Sequence, residues 1–439
     1  MMATQFSVKD NRKWKVPFFT LWTGQAFSLL GSRVVQFALV WWLTKETGSA
    51  TVLAMATLIA LAPGILLGPI SGALVDRWNR RSVMLVADAV IAVASLWLAY
   101  MFFIGEMQVW MVYAIMLLRA VGGTFHYPAM TASTSLMVPK ERLTRLAGMN
   151  QTLNGALGII APPLGALFMD IMPLHSVMMI DVATALLAIL PLVFINIPQP
   201  ERIEKLQEGE GQPSIMQDIA SGLRYIVKWK GLLYLIIGAL IFKFALTPAF
   251  SLIPLLVAKH FQGGAAQLSF WEAIASSGII LGGVLLSIWG GFKRQAYTMI
   301  SGLTIGGICV VSFGLTPSQY FWIFVVAGGI FGTTVSMVDG PIMAILQGTI
   351  DPEMQGRVFS TMGALLNLTG PIGLGLAGPV SDYLGIQVWF VIAGVLIAGV
   401  AIAFLFIPAV MNLENYEHKK VLEQDKTINP AGPEQVLAD

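Results

Sequence analysis

Apolar residues in this chain run in long blocks, and polar residues gather in short stretches between them. A helix needs about 20 mostly apolar residues to cross the hydrocarbon core of a bilayer. Twelve blocks meet that length: 17–43, 51–74, 83–104, 109–133, 146–169, 174–196, 231–258, 267–291, 297–315, 319–346, 359–381 and 386–408. Several contain Gly and Pro, as membrane helices tolerate. The pattern predicts an all-α membrane protein with twelve transmembrane helices. The first block is too long for a cleaved signal peptide and holds Gln25, Arg33 and Gln36; no clear small-residue cleavage site follows it.

One long interior stretch, 197–230, breaks the series. Glu201, Glu204, Glu208 and Glu210 mark its first part as a solvated linker. From Ser214 to Lys230, Ile215, Ile219, Leu223 and Ile226 recur at helical spacing with Arg224 and Lys228 among them. That is the pattern of an amphipathic helix lying on the membrane surface. The expected organisation is a segment 1–16, a six-helix half 17–196, the linker 197–230, a second six-helix half 231–408, and a polar tail 409–439.

Charge adds orientation. Only 11% of residues are charged against 56% hydrophobic, with a net charge of +2. Of 26 Lys and Arg, 21 fall in segments on one side of the predicted spans, and only Lys45 and Lys259 in loops on the other. By the positive-inside rule both termini are cytoplasmic. The composition excludes disorder, and the absence of a basic stripe excludes nucleic-acid binding. A single cysteine, Cys309, excludes an internal disulfide, and the four histidines show no HExxH spacing. No GxxxxGK[ST] motif is present, so nucleotide is not the direct energy source. No clustered nucleophile, metal-ligand or acid–base set points to an enzyme or a cofactor.

The two halves align with each other. An offset of 213 superimposes Arg80-Arg81 on Lys293-Arg294, Pro128 on Pro341 and Pro139 on Pro352, and an offset of 212 pairs Asp170 with Asp382. Agreement on one offset across corresponding loops argues for two six-helix pseudo-repeats.

Specific motifs lie on this frame. Gly72-Ala73-Leu74-Val75-Asp76-Arg77-Trp78-Asn79-Arg80-Arg81, between spans two and three, resembles the loop motif Gly-x-Leu-Ala-Asp-Arg-x-Gly-Arg-Arg of the major facilitator superfamily. Arg119-Ala120-Val121-Gly122-Gly123 is similar to that family's Arg-x-x-Gln-Gly motif in span four. Ala161-Pro162-Pro163-Leu164-Gly165-Ala166 partly resembles its antiporter motif, with alanine at two glycine positions. Trp22-Thr23-Gly24-Gln25-Ala26, Phe125-His126-Tyr127-Pro128-Ala129, Ile180-Asp181 and Gly356-Arg357-Val358-Phe359-Ser360 resemble the drug:proton antiporter subgroup that includes macrolide efflux proteins. The resemblance spans about residues 15–408. It implies the major facilitator fold, a monomer working by alternating access in the inner (plasma) membrane of a prokaryote, and a substrate site at mid-depth between the halves. Asn79 replaces the loop glycine, and Ser32-Arg33 follows Gly31 where many relatives carry an acid.

The polar groups inside spans are the candidate site. Arg119 falls near the midplane, where a charge costs about 3 kcal/mol on insertion scales and such residues usually line a cavity; the resemblance implies a part in proton coupling. Asp181, Asp339 and Asp88 are further proton-coupling candidates; interfacial exposure of Asp88 and a salt bridge at Asp181 are the structural alternatives. Glu272 is expected to be exposed. Asp76, Arg77, Arg80 and Arg81 form a candidate gating loop in which Asp76 meets a cation and helix N-terminal amides on a facing helix; positive-inside anchoring is the alternative for Arg80 and Arg81. Gln25, Arg33, Gln36, Gln151, Asn154, Lys243 and Gln347 are candidates for the substrate cavity. Arg33 and Lys243, at similar depth with Arg119, leave three cations near the midplane with no acid at that depth.

Two functions follow as expectations. The first is proton-coupled export of a lipophilic drug such as a macrolide, with a small-molecule substrate, protons and membrane lipids as partners. The alternative, motivated by the three cations, is export of an anionic metabolite such as a siderophore.

Overall fold

The computed structural model describes residues 14–199 and 215–413. These residues form a helical bundle of α1 (Lys15–Thr47), α2 (Ala50–Arg77), α3 (Arg80–Ile104), α4 (Val109–Met137), α5 (Leu143–Ile171), α6 (Leu174–Phe194), α7 (Ile215–Lys228), α8 (Lys230–Leu255), α9 (Ala265–Trp289), α10 (Gln295–Leu315), α11 (Phe321–Thr349), α12 (Pro352–Leu384), α13 (Ile386–Leu405) and the short α14 (Pro408–Met411). Twelve, all but α7 and α14, are long and apolar enough to cross a membrane. Each coincides with a predicted block, but several run one or two turns further. α12 begins at Pro352 rather than near 359. Hydropathy marks where hydrocarbon must be met, whereas the hydrogen-bonded helix continues into the polar interface.

Local chemistry sets the ends. Gly48 and Gly105 close α1 and α3 in the left-handed region, at φ 57° and 75°. The Ser49 hydroxyl accepts from the Val52 N–H at 3.3 Å and caps α2. Asn79, the departure from the loop motif, has φ −68° and accepts from the Ser82 N–H at 3.1 Å. It is an N-cap, so the turn has no need of glycine. Pro63, Pro128, Pro162-Pro163, Pro248 and Pro341 sit inside spanning helices.

The halves repeat pair by pair. In the first, α1 packs on α5 and α6, α3 on α4 and α6, and α2 on α4; in the second, α8 packs on α12 and α13, α10 on α11 and α13, and α9 on α11. Small residues permit the closest crossing: a Cβ on Gly278 would strike the Gly329 carbonyl, and one on Gly332 the Ala275 carbonyl. The halves join through α2 with α12 and α5 with α9. The amphipathic helix expected from Ser214 is present as α7, which packs on α12 and α8. The linker glutamates and the polar tail beyond Leu413 lie outside the described residues.

The bundle is closed at one end and open at the other. At the end formed by the α1–α2 and α12–α13 turns, Asp382 of α12 accepts from the Ser49 hydroxyl at 2.9 Å and from the Ala50 and Thr51 amides at 2.7 and 3.0 Å. Nearby, a Cβ on Gly378 would come within 2.8 Å of the Thr51 Cα. Towards the opposite end, which carries the described termini, Gly64, Gly68 and Gly72 of α2 and Gly356 and Gly363 of α12 have no atom within 4 Å of an added Cβ. At these positions neither helix is covered, unlike the Gly378–Thr51 approach at the closed end.

Candidate functional site

Between the halves lies a cavity of about 630 Å³, walled by α1, α5, α8, α9 and α11. Phe37, Phe242, Phe250, Trp271 and Phe331 make it largely aromatic, and Leu157, Ala161, Leu246 and Val335 extend the apolar surface. Three ionisable groups line it: Arg33, Lys243 and Glu272. Arg33 donates to the Asn154 Oδ1 at 3.0 Å. Lys243 interacts electrostatically with Asp339 on α11. Glu272 makes no hydrogen bond or ion pair among the described residues.

Glu272 corrects the expectation of exposure. Its position along α9 is near the closed end, as the sequence indicates, but its side chain faces the cavity rather than outer water. Gln36 lines the cavity as expected. Gln151 and Gln347 are exposed outside it, and the Gln347 carbonyl accepts from the Gln355 amide at 3.0 Å. Gln25 is buried inside the first half instead.

A second polar centre fills the interior of that half. Arg119 of α4 forms an ion pair with Asp181 of α6, and Asp181 is fully buried. Asp181 also accepts from the Ser32 hydroxyl at 2.9 Å and the Ser95 hydroxyl at 2.5 Å. The Arg119 guanidinium donates to Ser95 Oγ at 2.8 Å and to the Ser32 carbonyl at 3.4 Å. Four helices thus meet on one carboxylate. The expectation of three cations with no acid at their depth is overturned, because Asp181 counters Arg119. Asp88 is also buried rather than interfacial: Gln25 donates to it at 2.9 Å, and His126 Nε2 stands 3.3 Å from its Oδ1. His126 is not among the predicted site residues; its signal in the sequence is its place in the motif Phe125-His126-Tyr127-Pro128.

The loop candidates stand at the open end. Asp76 is exposed and, among the described residues, pairs only with Arg80 of its own half, at 3.4 Å. Its expected contact with a facing helix of the other half is not made among the described residues. Arg80 is buried and donates to the Ala132 carbonyl at 3.1 Å. Arg81 donates to the Leu192 carbonyl at 2.6 Å and to that of Val193, in the last turn of α6. A cation there satisfies carbonyls that have no intrahelical partner and suits the negative end of the helix dipole. Arg77 is exposed at the end of α2.

Two pseudo-symmetric six-helix halves around a central cavity, sealed at one end, define a membrane carrier. A Major Facilitator Superfamily model matches residues 21–316 and 235–431, and the chain belongs to that superfamily. It is 35% identical over 402 residues to macrolide efflux protein A of Streptococcus pyogenes, covering 91% of this chain and 98% of the relative. The protein of the same name from Enterococcus faecalis is 34% identical over 328 residues, covering 74% of this chain and 100% of that one. The multidrug efflux pump Tap of Mycobacterium bovis is 27% identical over 429 residues, covering 91% and 95%. Among solved structures, a bacterial homologue of the human lysosomal transporter Spinster, inward-facing and unoccupied, superimposes with a TM-score of 0.71 at 13% identity, covering 93% of this chain and 99% of that one. The protein is a multi-pass membrane transporter of the major facilitator type, not an enzyme.

Proposed function

We propose that this transporter exports a lipophilic, positively charged drug of the macrolide type by proton-coupled alternating access, across the plasma membrane of a prokaryote, with both termini in the cytoplasm. The observation that carries this is the central cavity: aromatic walls around Glu272, a carboxylate without a partner. Aromatic faces and a desolvated carboxylate attract an amine cation by cation–π and Coulomb forces. The similarity to macrolide efflux protein A supports the same substrate class. With basic loops at the open end, the described conformation faces inward, and Asp382 holds the outer side shut. Return to the outward-facing state requires the α2–α12 gap to close and brings Asp76 to the opposite half. Asp181 is the proton acceptor, its charge held by Arg119 until the proton arrives.

The anionic-metabolite alternative rests on Arg33 and Lys243. Its charge argument weakens because Arg119 is paired, Lys243 has Asp339 nearby, and Glu272 shares the cavity.

The test is accumulation of labelled erythromycin in cells lacking their own exporters, with and without a protonophore. Cells carrying the protein should hold less erythromycin than empty-vector cells. The protonophore and Arg119→Ala should each abolish the difference. Glu272→Gln should raise the KM for erythromycin about tenfold, the effect of losing an interaction of about 1.4 kcal/mol. Unchanged accumulation, with the protein present in the membrane, rejects the macrolide assignment. Full transport of an anionic substrate by the protein, lost in Arg33→Gln plus Lys243→Gln, would replace it with the alternative.

A further inference from the structure

The two buried polar clusters of the first half stand in register. Gln25 and Ser32 on α1, Asp88 and Ser95 on α3, and His126 and Arg119 on α4 are each seven residues apart. Seven residues are two turns, about 10 Å along a helix. One layer is Ser32–Ser95–Arg119–Asp181. The other is Gln25–Asp88–His126, nearer the open end. We propose that Asp88 and His126 form a second proton-holding station, in line with Asp181 along the α1–α3–α4 interface, and that the transported proton passes between the two inside the first half. The role of the path in transport rests on the proton coupling proposed above.

Several observations support a path rather than two packing features. His126 Nε2 is buried and within ion-pair range of Asp88, yet its geometry gives no good hydrogen bond and it has no other partner. Imidazole is the side chain whose ordinary proton exchange falls near neutral pH. Ser28 is buried on α1 between the layers. The fold does not demand polarity in the Asp181 layer. At the repeat offset of 213, Gly238, Ala245, Gly332 and Gly394 stand where the first half has Gln25, Ser32, Arg119 and Asp181, while Asp88 and His126 correspond to the polar Ser301 and Asp339.

The other charges around Asp88 are committed elsewhere or distant. α2 carries none before Asp76, and α6 offers Asp181 and the distant His175. On α3 itself, Arg80 and Arg81 bond to helix carbonyls. On α1, Arg33 reaches Asn154, and Lys15, Lys45 and Glu46 lie at the helix ends. In the proposed sequence, a proton from water at the open end is taken by the His126–Asp88 pair. It then passes to the Asp181 carboxylate, which becomes neutral, and Arg119 loses its counter-charge.

The first measurement is an infrared pH titration of the purified full chain in lipid bilayers, which needs no substrate. A carboxyl and an imidazole signal should change together along the titration in the wild type. The carboxyl band should be lost in Asp88→Asn and its midpoint shifted by about one pH unit or more in His126→Gln. A wild type with no such joint titration overturns the station, whatever the variants do. The second measurement is pH-gradient-driven erythromycin transport in proteoliposomes. Asp88→Asn and His126→Gln, checked for wild-type elution and thermal unfolding, should lose it at least tenfold. Retention of driven transport in both variants overturns the path alone. Failure of the wild type to couple erythromycin to the gradient refutes the transport reading, and the titration still decides the station.

Discussion

The Arg119–Asp181 pair shows how one buried carboxylate can organise four helices. Breaking a buried ion pair leaves an uncompensated charge and costs about 3–5 kcal/mol, while removing both charges is often neutral. Asp181→Asn should therefore lower the thermal unfolding midpoint sharply. Asp181→Asn combined with Arg119→Gln should recover most of that loss, and gradient-driven transport should remain absent in both. A double variant no more stable than the single one would show that the pair is not coupled. At this scale the sequence was legible in part. It located Arg119 and Asp181 as charges within spans, because such charges are costly there. It left Asp88 open between burial and the interface and misjudged Glu272, because depth along a helix follows from counting residues whereas the direction a side chain faces depends on which helix packs beside it.

At the scale of elements, the closed end depends on a helix N-terminus. Asp382 accepts three hydrogen bonds at the start of α2, where backbone amides lack intrahelical acceptors. Its repeat counterpart Asp170 is exposed. The contact joins the halves, so it stabilises only the conformation in which this end is shut. Asp382→Ala should shift the population towards the state open at that end by about tenfold, the effect of losing hydrogen bonds worth about 1–2 kcal/mol at a partly exposed site. Distances between spin labels on the α1–α2 and α12–α13 turns would report it, and an unchanged distance distribution would refute the latch. Helix identities were readable from apolar block length alone. The latch was not: Asp170 and Asp382 matched in the sequence, yet among the described residues only Asp382 meets a partner.

For the whole molecule, the proposed alternating access makes the gap between α2 and α12 at the open end the determinant of the access state. Gly68 and Gly363 lie at similar depth on these helices and face open space. Alternating access requires them to approach. Gly68→Cys with Gly363→Cys should resist cross-linking while this end is open. Cross-linking should become possible as the end closes, reduce transport to background, and be reversed by a reductant. Full transport by the cross-linked protein would mean that this end does not move. The native Cys309 is buried and should not interfere.

The sequence by itself determined the number of spans, the two halves, the amphipathic α7 and the superfamily. The reason is that the bilayer imposes a length rule on apolar segments, and repeats and motifs persist in linear order. Only the tertiary structure decided which polar side chains meet. Arg119 found Asp181, Asp88 found His126, and Glu272 turned to the cavity because α1, α3, α4 and α6 converge in one half and α9 crosses to α5 of the other. Those pairings depend on rotation and crossing of helices far apart in the chain, and such geometry has no signature in hydropathy.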